Sequence, residues 1–428
     1  MQCERSGITG ATVGLSEFTA TSYQQSKDAS GMSKFFQESL DLHRYLRGKW
    51  AIKSKVPLQN NDDLSLAYTP GVAAVSSHIA ENPASSYALT MKGNAVAIVS
   101  DGSSVLGLGD IGPEGALPVM EGKAILFKEF ADIDGVPLVI NADSVDEIVT
   151  TVKAIAPTFG GINLEDIAAP KCFQIEKELQ EIGIPVFHDD QHGTAIVLLA
   201  ALINACKVTG KPIESLKVVI NGAGAAGTAI AGLLRCVGQD SSVCMPVEDV
   251  LVCDSKGIIS KDRDNLNPEK TKLLAYSNRQ NRNGSLLDAL KNADVFIGVS
   301  KGNLLSGDDV RQMNKDPIIL AMANPIPEIM PDEAIKAGAS VVGTGRSDFP
   351  NQVNNVLAFP GIFRGALDAR ATRISEGMKI AAAHALANAV NHIDASHVLP
   401  NALNRDVARK VGEAVKARAI EENLQRPG

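Results

Sequence analysis

Short apolar runs closed by Gly, Ser or Asp alternate with helix-length segments twice along this sequence, once on each side of residue 190. Ala95–Val99, Pro137–Ile140, Gly160–Ile162 and Pro185–Phe187 make up the first series. Lys217–Ile220, Asp249–Cys253, Asp294–Ile297, Pro317–Leu320 and Ser340–Val342 make up the second. A short apolar run without polar alternation reads as a strand buried on both faces. Strand and helix in regular alternation imply an α/β class with parallel sheets. The helices between the first set are expected over 118–130, 145–154 and 171–182, with 33–48 and 72–80 ahead of them. A helix over 195–208 opens the second series, another follows Gly227 to near Val237, and alanine-rich helices over 380–390 and 405–420 close the chain.

With 428 residues the chain has room for two domains. A flexible arm is expected over 1–31, and a change between two α/β domains near residue 190. Residues 1–31 are rich in Ser, Thr, Gln and Gly and too poor in apolar surface to fold alone. Glu4, Glu17 and Asp28 argue against a transit peptide, and no charged segment leads into an apolar run as secretion requires. A net charge of −8, no basic cluster and 4% aromatics argue against a nucleic-acid partner. No apolar run is read as reaching the roughly 18 residues of a membrane helix. The six cysteines lack a CxxC pair or regular spacing and read as reduced core residues, which places the protein in the cytoplasm.

Three segments carry chemistry. Gly222-Ala-Gly224-Ala225-Ala226-Gly227 follows a strand and opens a helix, the context that a dinucleotide fingerprint needs. Its glycines permit the tight turn, the approach of the pyrophosphate and close helix packing, and the helix N-terminus offers free N–H groups. Asp254 closes the next strand and would reach a ribose hydroxyl, with Ser255 and Lys256 beside it. Lys256, Lys261 and Arg263 would suit the extra phosphate of NADP. The acid argues for NAD and the cations for NADP, which is slightly favoured. Next, Glu165, Asp166, Asp189 and Asp190 form two acidic pairs at the ends of apolar runs. Such oxygen donors suit Mg²⁺ or Mn²⁺, although acidic pairs also commonly start helices. His188 and His192 are four apart, yet the neighbouring carboxylates favour a harder ion than zinc. Finally, glycines crowd residues 102–122, and Lys123 lies in an otherwise apolar helix. Desolvation there would lower its pKa and let it accept a proton. The alternative is a lysine that snorkels to the surface.

The chain resembles the malic enzyme family. The similarity is carried by Ala67-Tyr-Thr-Pro-Gly-Val72, Gly107-Leu-Gly-Asp-Ile-Gly112 with Pro118-Val-Met-Glu-Gly-Lys123, Asn163-Leu-Glu-Asp166 and Phe187-His-Asp-Asp-Gln-His-Gly-Thr194. It continues through Gly222–Gly227, Ala323-Asn-Pro-Ile326 and Asn354-Asn-Val-Leu-Ala-Phe-Pro-Gly361. The resemblance implies oxidative decarboxylation of malate to pyruvate and CO₂ with NADP or NAD and Mg²⁺ or Mn²⁺. It implies that Glu165, Asp166 and Asp190 hold the metal, that Lys123 is the base, that Tyr68 protonates the enol and that Asp189 tunes Lys123. Asn324 and Asn355 resemble substrate-carboxylate ligands, Asn324 beside the cofactor as well. The substrate-binding arginine that precedes Leu-Gly-Leu-Gly in the large-subunit form of the family is missing, since Ser103, Ser104 and Val105 stand there. The resemblance also implies a substrate and metal domain over 32–188 together with 355–428 and a Rossmann-type dinucleotide domain over 189–354, and a homodimer, as family members associate and the N-terminal helices offer apolar faces. Two other readings are a malolactic enzyme and an inactive nucleotide-binding regulatory protein on the same fold.

Overall fold

A computed structural model describes residues 31–105, 107–239, 244–264 and 266–426. Apart from Gly31, the arm expected over 1–31 lies outside the described residues, and Cys3 with it. Among the described residues, 31–49 form a unit of their own, built on α1 (Gly31–Leu46). Of its apolar residues Phe36, Leu40, Leu42 and Leu46, only Leu42 is half-buried and the others are exposed.

The unit from Trp50 onward begins with α2 (Asn61–Ala67) and α3 (Val72–Glu81), neither of which buries a residue. The first sheet follows: β1 (Ala95–Ser100), α4 (Gly112–Ala131), β2 (Asp134–Val139), α5 (Val145–Ile155), β3 (Gly161–Leu164), α6 (Lys171–Leu179) and β4 (Val186–His188). Its strands are all parallel in the order β2-β1-β3-β4. The second sheet contains β5 (Lys217–Asn221), β6 (Asp249–Asp254), the short β7 (Gly257–Ile258), β8 (Val295–Gly298), β9 (Ile318–Ala321) and β10 (Val341–Thr344). Its order is β10-β9-β8-β5-β6-β7, parallel except for the antiparallel β7, which the sequence did not reveal. The order reverses between β5 and β8, and a doubly wound sheet takes its ligand at such a switch point. The fold is therefore a two-domain α/β architecture with a Rossmann-type half, as expected.

The chain crosses between the sheets through α7 (Asp189–Thr209), which starts six residues before the 195 expected for it. The acidic pair made its first turn look like loop, although acids are favoured at a helix N-terminus. By length and composition this helix could cross a membrane, contrary to the sequence reading. It is instead a core helix, with Ala195–Leu202 all buried. Its neighbours are α8 (Ala225–Leu234) and α10 (Glu376–Asn388). After the second sheet, α9 (Phe359–Asp368) and α11 (Asp406–Glu421) return to pack on α4. One apolar cluster thus joins Ile98 and Phe127 of the first half, Ile220 and Leu320 of the second, and Phe359 and Phe363 of the tail. One cysteine reading is corrected. The turn after α8 brings Cys236 and Cys244 to a Cα separation of 5.7 Å, and they are disulfide-bonded. Cys172, Cys206 and Cys253 are buried free thiols, as expected.

Candidate active site

Helix α4 buries Ala116, Met120, Ala124 and Phe127, the spacing of one helical stripe, and Lys123 belongs to that buried face. Only 8% of the lysine is exposed, which removes the snorkelling alternative. Its ammonium sits 4.1 Å from the centroid of the Phe359 ring. It donates to Glu165 Oε1 at 2.8 Å and to Asp189 Oδ2. These acids reach it from the C-terminal ends of β3 and β4, the edge where parallel sheets hold ligands.

The expected desolvated, low-pKa lysine is corrected here. Burial does pull its pKa down, but the charges of Asp189 and Glu165 outweigh burial and hold the ammonium well above its usual range. On the acids the balance is opposite. Burial pushes Glu165 up to about 7 and Asp189 to about 6 despite the lysine beside them. Four carboxylates against one lysine leave the pocket with surplus negative charge.

The remaining acids are tied to the same frame. Asp190 Oδ2 accepts from the Asp166 backbone N–H at 2.8 Å, and the Ser104 N–H donates to the Asp166 carbonyl at 3.0 Å. Asn163 donates from Nδ2 to Glu165 Oε2 at 2.8 Å, and Asn355 from Nδ2 to Asp189 Oδ2 at 2.8 Å. Asn355 therefore orients Asp189 in this arrangement. Asn163 and Phe359 were missed as site residues, although both lie inside the quoted motifs. Among the described residues no three His, Cys, Asp or Glu side chains are arranged to hold a metal ion, and Glu165 is bonded to Lys123 and Asn163. His188 precedes α7 with its Nδ1 3.7 Å from Asp190 Oδ2, and His192 pairs with Glu176 at 2.9 Å and Lys379 at 3.1 Å.

The glycine turn lies between β5 and α8. Gly222 has φ +127°, and a Cβ there would meet the Val299 carbonyl oxygen at 2.6 Å. A Cβ on Gly227 would collide with the Gly222 carbonyl. Ala225 packs on the apolar cluster of the first sheet, which sets the turn beside that sheet. Asp254, at the end of β6, is gripped by Arg263 through two contacts of 2.9 Å and by Lys270 at 2.6 Å. The Lys256 N–H adds a third donor at 2.9 Å. Burial would raise the carboxyl, but these hydrogen bonds hold it well below the usual range. The ribose-binding acid expected from sequence is thus already occupied by protein cations.

Residues 47–145 and 140–180 match the family model described as malic enzyme, N-terminal domain. Residues 191–420 match the one described as malic enzyme, NAD binding domain. The chain belongs to the malic enzyme family. It is 57% identical to the bifunctional malic/malolactic enzyme of Bacillus subtilis, over 91% of this chain and 94% of that one. It is 51% identical to the NAD-dependent malic enzyme of Geobacillus stearothermophilus, over 89% of this chain and 79% of that one. Its fold superposes on the malic enzyme of Pyrococcus horikoshii with a TM-score of 0.87 at 46% identity, covering 92% of each chain.

Against the malic enzyme motifs, Lys123, Glu165, Asp166, Asp189, Asp190 and Asn355 come together, and two expected residues do not join them. Asn324 is exposed in the loop after β9. Tyr68 caps α2, is 67% exposed, and its hydroxyl has no partner among the described residues. Where the resemblance to the large-subunit form led an arginine to be expected, Ser103 Oγ donates to Asp101 Oδ1 at 2.6 Å and accepts from the Ala168 N–H. Lys171, not singled out in the sequence, pairs with the same aspartate and puts a cation at that spot.

Gly193 is spatially constrained. A Cβ there would collide with Asp189 Oδ1 and come within 3.1 Å of Asn355 Cβ. Gly193→Ala is expected to push Asp189 away from Lys123 and lower kcat/KM by about 10–100-fold, on the scale of a misplaced positioning group. Steady-state kinetics beside circular dichroism checks this, and a variant within about twofold of wild type would contradict it.

Proposed function

We propose that this chain oxidatively decarboxylates (S)-malate to pyruvate and CO₂, passing hydride to NADP or NAD with Mg²⁺ or Mn²⁺ bound. One observation carries the reading: a buried lysine clasped by two carboxylates at the strand ends, in a chain with a nucleotide turn built on β5.

Glu165, Asp166 and Asp190 are the residues that would hold the ion. Their donors are all oxygen, as a hard divalent cation prefers, and the surplus negative charge of the pocket calls for such a cation. When bound, it supplies Lewis acidity at the C2 oxygen and stabilises the charge that develops as CO₂ leaves. Lys123 takes the C2 hydroxyl proton while the hydride departs. It is an ammonium while Glu165 and Asp189 clasp it, and it would be a competent base only where Glu165 no longer pairs with it. Asp189, fixed by Asn355, keeps the amine aimed. Tyr68 returns a proton to C3. Asn324 and Asn355 face the substrate carboxylates in the closed complex, with Lys171 in place of the missing arginine. Gly222, Gly224, Ala225, Ala226 and Gly227 carry the pyrophosphate, and Asp254, Ser255 and Lys256 border the adenosine ribose. We assign 32–188 and 355–428 to the substrate side and 189–354 to the nucleotide side of a cytoplasmic homodimer. No nucleic acid or membrane takes part.

The Bacillus subtilis relative is named for malolactic conversion as well, so both products need measuring. Malate, Mn²⁺ and each cofactor in turn are expected to give reduced nicotinamide in a 1:1 ratio with pyruvate, faster with NADP. Chelation should stop the reaction and added Mn²⁺ restore it. Lactate without reduced cofactor would establish the malolactic reading, and no turnover under any pairing would leave only a nucleotide-binding protein.

A further inference from the structure

Glu328 is fully buried, and the chemistry proposed above makes no use of it. It follows β9, and its side chain turns back onto the sheet. A Cβ on Gly298, the last residue of β8, would collide with the Glu328 carboxyl carbon. Gly298 stands in register with Asn221 of β5 on one side and Ala321 of β9 on the other. The carboxylate therefore lies at the C-terminal edge of the second sheet, beside the switch point between β5 and β8 where a doubly wound fold takes its nucleotide.

Two loops meet at that edge. The one after β8 carries Ser300, and the one after β9 carries Asn324. Glu328 Oε1 accepts from the Ser300 backbone N–H at 3.2 Å, and Oε2 accepts from the Ala323 N–H at 3.0 Å. One carboxylate thus holds a backbone donor from each loop. The Glu328 carbonyl adds a second tie, accepting from the Leu304 and Leu305 N–H groups at 2.8 and 3.0 Å. Among the described residues no cation pairs with the carboxylate, and burial raises its pKa against the pull of its N–H donors. Burying an acid without a counter-charge is costly, and such costs gather at functional sites.

Beside the two bound N–H groups stand polar groups that point to a ligand. Ser300 Oγ accepts from Asn221 Nδ2 at 2.8 Å, which leaves the hydroxyl proton free to donate. Asn324 follows Ala323 directly, is exposed, and its amide has no partner among the described residues. A hydroxyl and an amide suit the carboxamide and ribose hydroxyls at one end of the dinucleotide. Asp254 and its cations close β6, on the far side of β5, and belong to the other end.

We propose that Glu328 is a positioning residue for the nicotinamide end of the cofactor, its carboxylate locking Ser300 and Asn324 into one mutual register. The proposal rests on the reading of this chain as a nicotinamide-dependent malate enzyme. Glu328 itself touches neither cofactor nor substrate.

Calorimetry with ADP and with the whole oxidised dinucleotide separates the two ends, since ADP fills only the adenosine end. Glu328→Gln replaces one acceptor by an N–H group, so one loop loses its tie. It is expected to leave the Kd of ADP within about twofold and to raise that of the dinucleotide by about tenfold or more, the scale of one lost hydrogen bond to a charged group. Turnover should fall by about 10–100-fold, as for a misplaced reactant. Gly298→Ala evicts the carboxylate without altering it and should give the same split, which keeps the test open if Glu328→Gln folds poorly. In a Glu328→Ala background, Gly298→Ala should add less than about twofold, because the two changes act on one contact. Equal weakening of ADP and dinucleotide, or no weakening of either, overturns the proposal. An independent further loss in the double variant overturns it too. Wild-type protein that binds neither ligand defeats instead the nicotinamide reading on which it rests.

Discussion

Lys123→Arg is expected to leave a folded protein with its malate turnover reduced by about 10²–10⁴-fold, the range that a positioned general base contributes. Arginine keeps the positive charge that Glu165 and Asp189 surround, but it does not deprotonate in a protein. The arginine variant therefore separates the ion pair from the proton transfer. Lys123→Ala removes both. It leaves two buried carboxylates without their cation, and breaking a buried pair in that way costs roughly 3–5 kcal/mol. Its loss of stability should shrink when Mn²⁺ is added, because the ion replaces the missing charge, whereas its turnover should stay lost. Unfolding temperature with and without Mn²⁺, read beside release of reduced nicotinamide, distinguishes the two effects. Lys123→Arg within about tenfold of wild type would show that the lysine is only a structural counter-charge.

Most strands were legible because they are buried on both faces and so read as an apolar run; β1 is Ala-Val-Ala-Ile-Val-Ser, buried throughout, whereas β2 is only half-buried along most of its length. The nucleotide turn was legible because its glycines answer to local geometry. Helix starts were harder to see. Helix α4 begins at Gly112 with a proline in its first turn, a start signal that the internal Pro118 obscured. Helix α7 begins on Asp189 and Asp190, which served equally well as candidate ligands. The composition of the site was legible and its electrostatics were not. The partners that hold Lys123 as an ammonium come from 42 and 66 residues away, beyond any local window. The same limit applies to Cys236 and Cys244, which are eight residues apart in no recognisable spacing until the turn after α8 folds them together. Tyr68 is the sharpest case. A motif places it among catalytic residues, but only the fold shows that it stands exposed between helices that bury no residue.

Arg263→Ala is expected to weaken NADP far more than NAD, raising the KM for NADP by about 10–100-fold while that for NAD stays level or falls. An Asp at the end of the second strand of a nucleotide fold ordinarily receives the ribose hydroxyls of NAD and repels a 2′-phosphate. In this chain Asp254 already accepts from Arg263, Lys270 and the Lys256 N–H, so its oxygens have little capacity left for a ribose. Two side-chain cations against one carboxylate leave net positive charge where the extra phosphate of NADP would lie. Arginine matters most because its fork can turn from carboxylate to phosphate without losing its paired geometry. Hydrogen bonds to charged groups contribute about 1.5–3 kcal/mol, which corresponds to the 10–100-fold loss expected. Without Arg263 the aspartate regains lone pairs for the ribose hydroxyls and a negative charge that opposes the phosphate. Both changes move the preference towards NAD. Initial rates with each cofactor at saturating malate and Mn²⁺ measure the ratio, and an unchanged ratio would mean that the adenosine end binds away from Asp254 altogether.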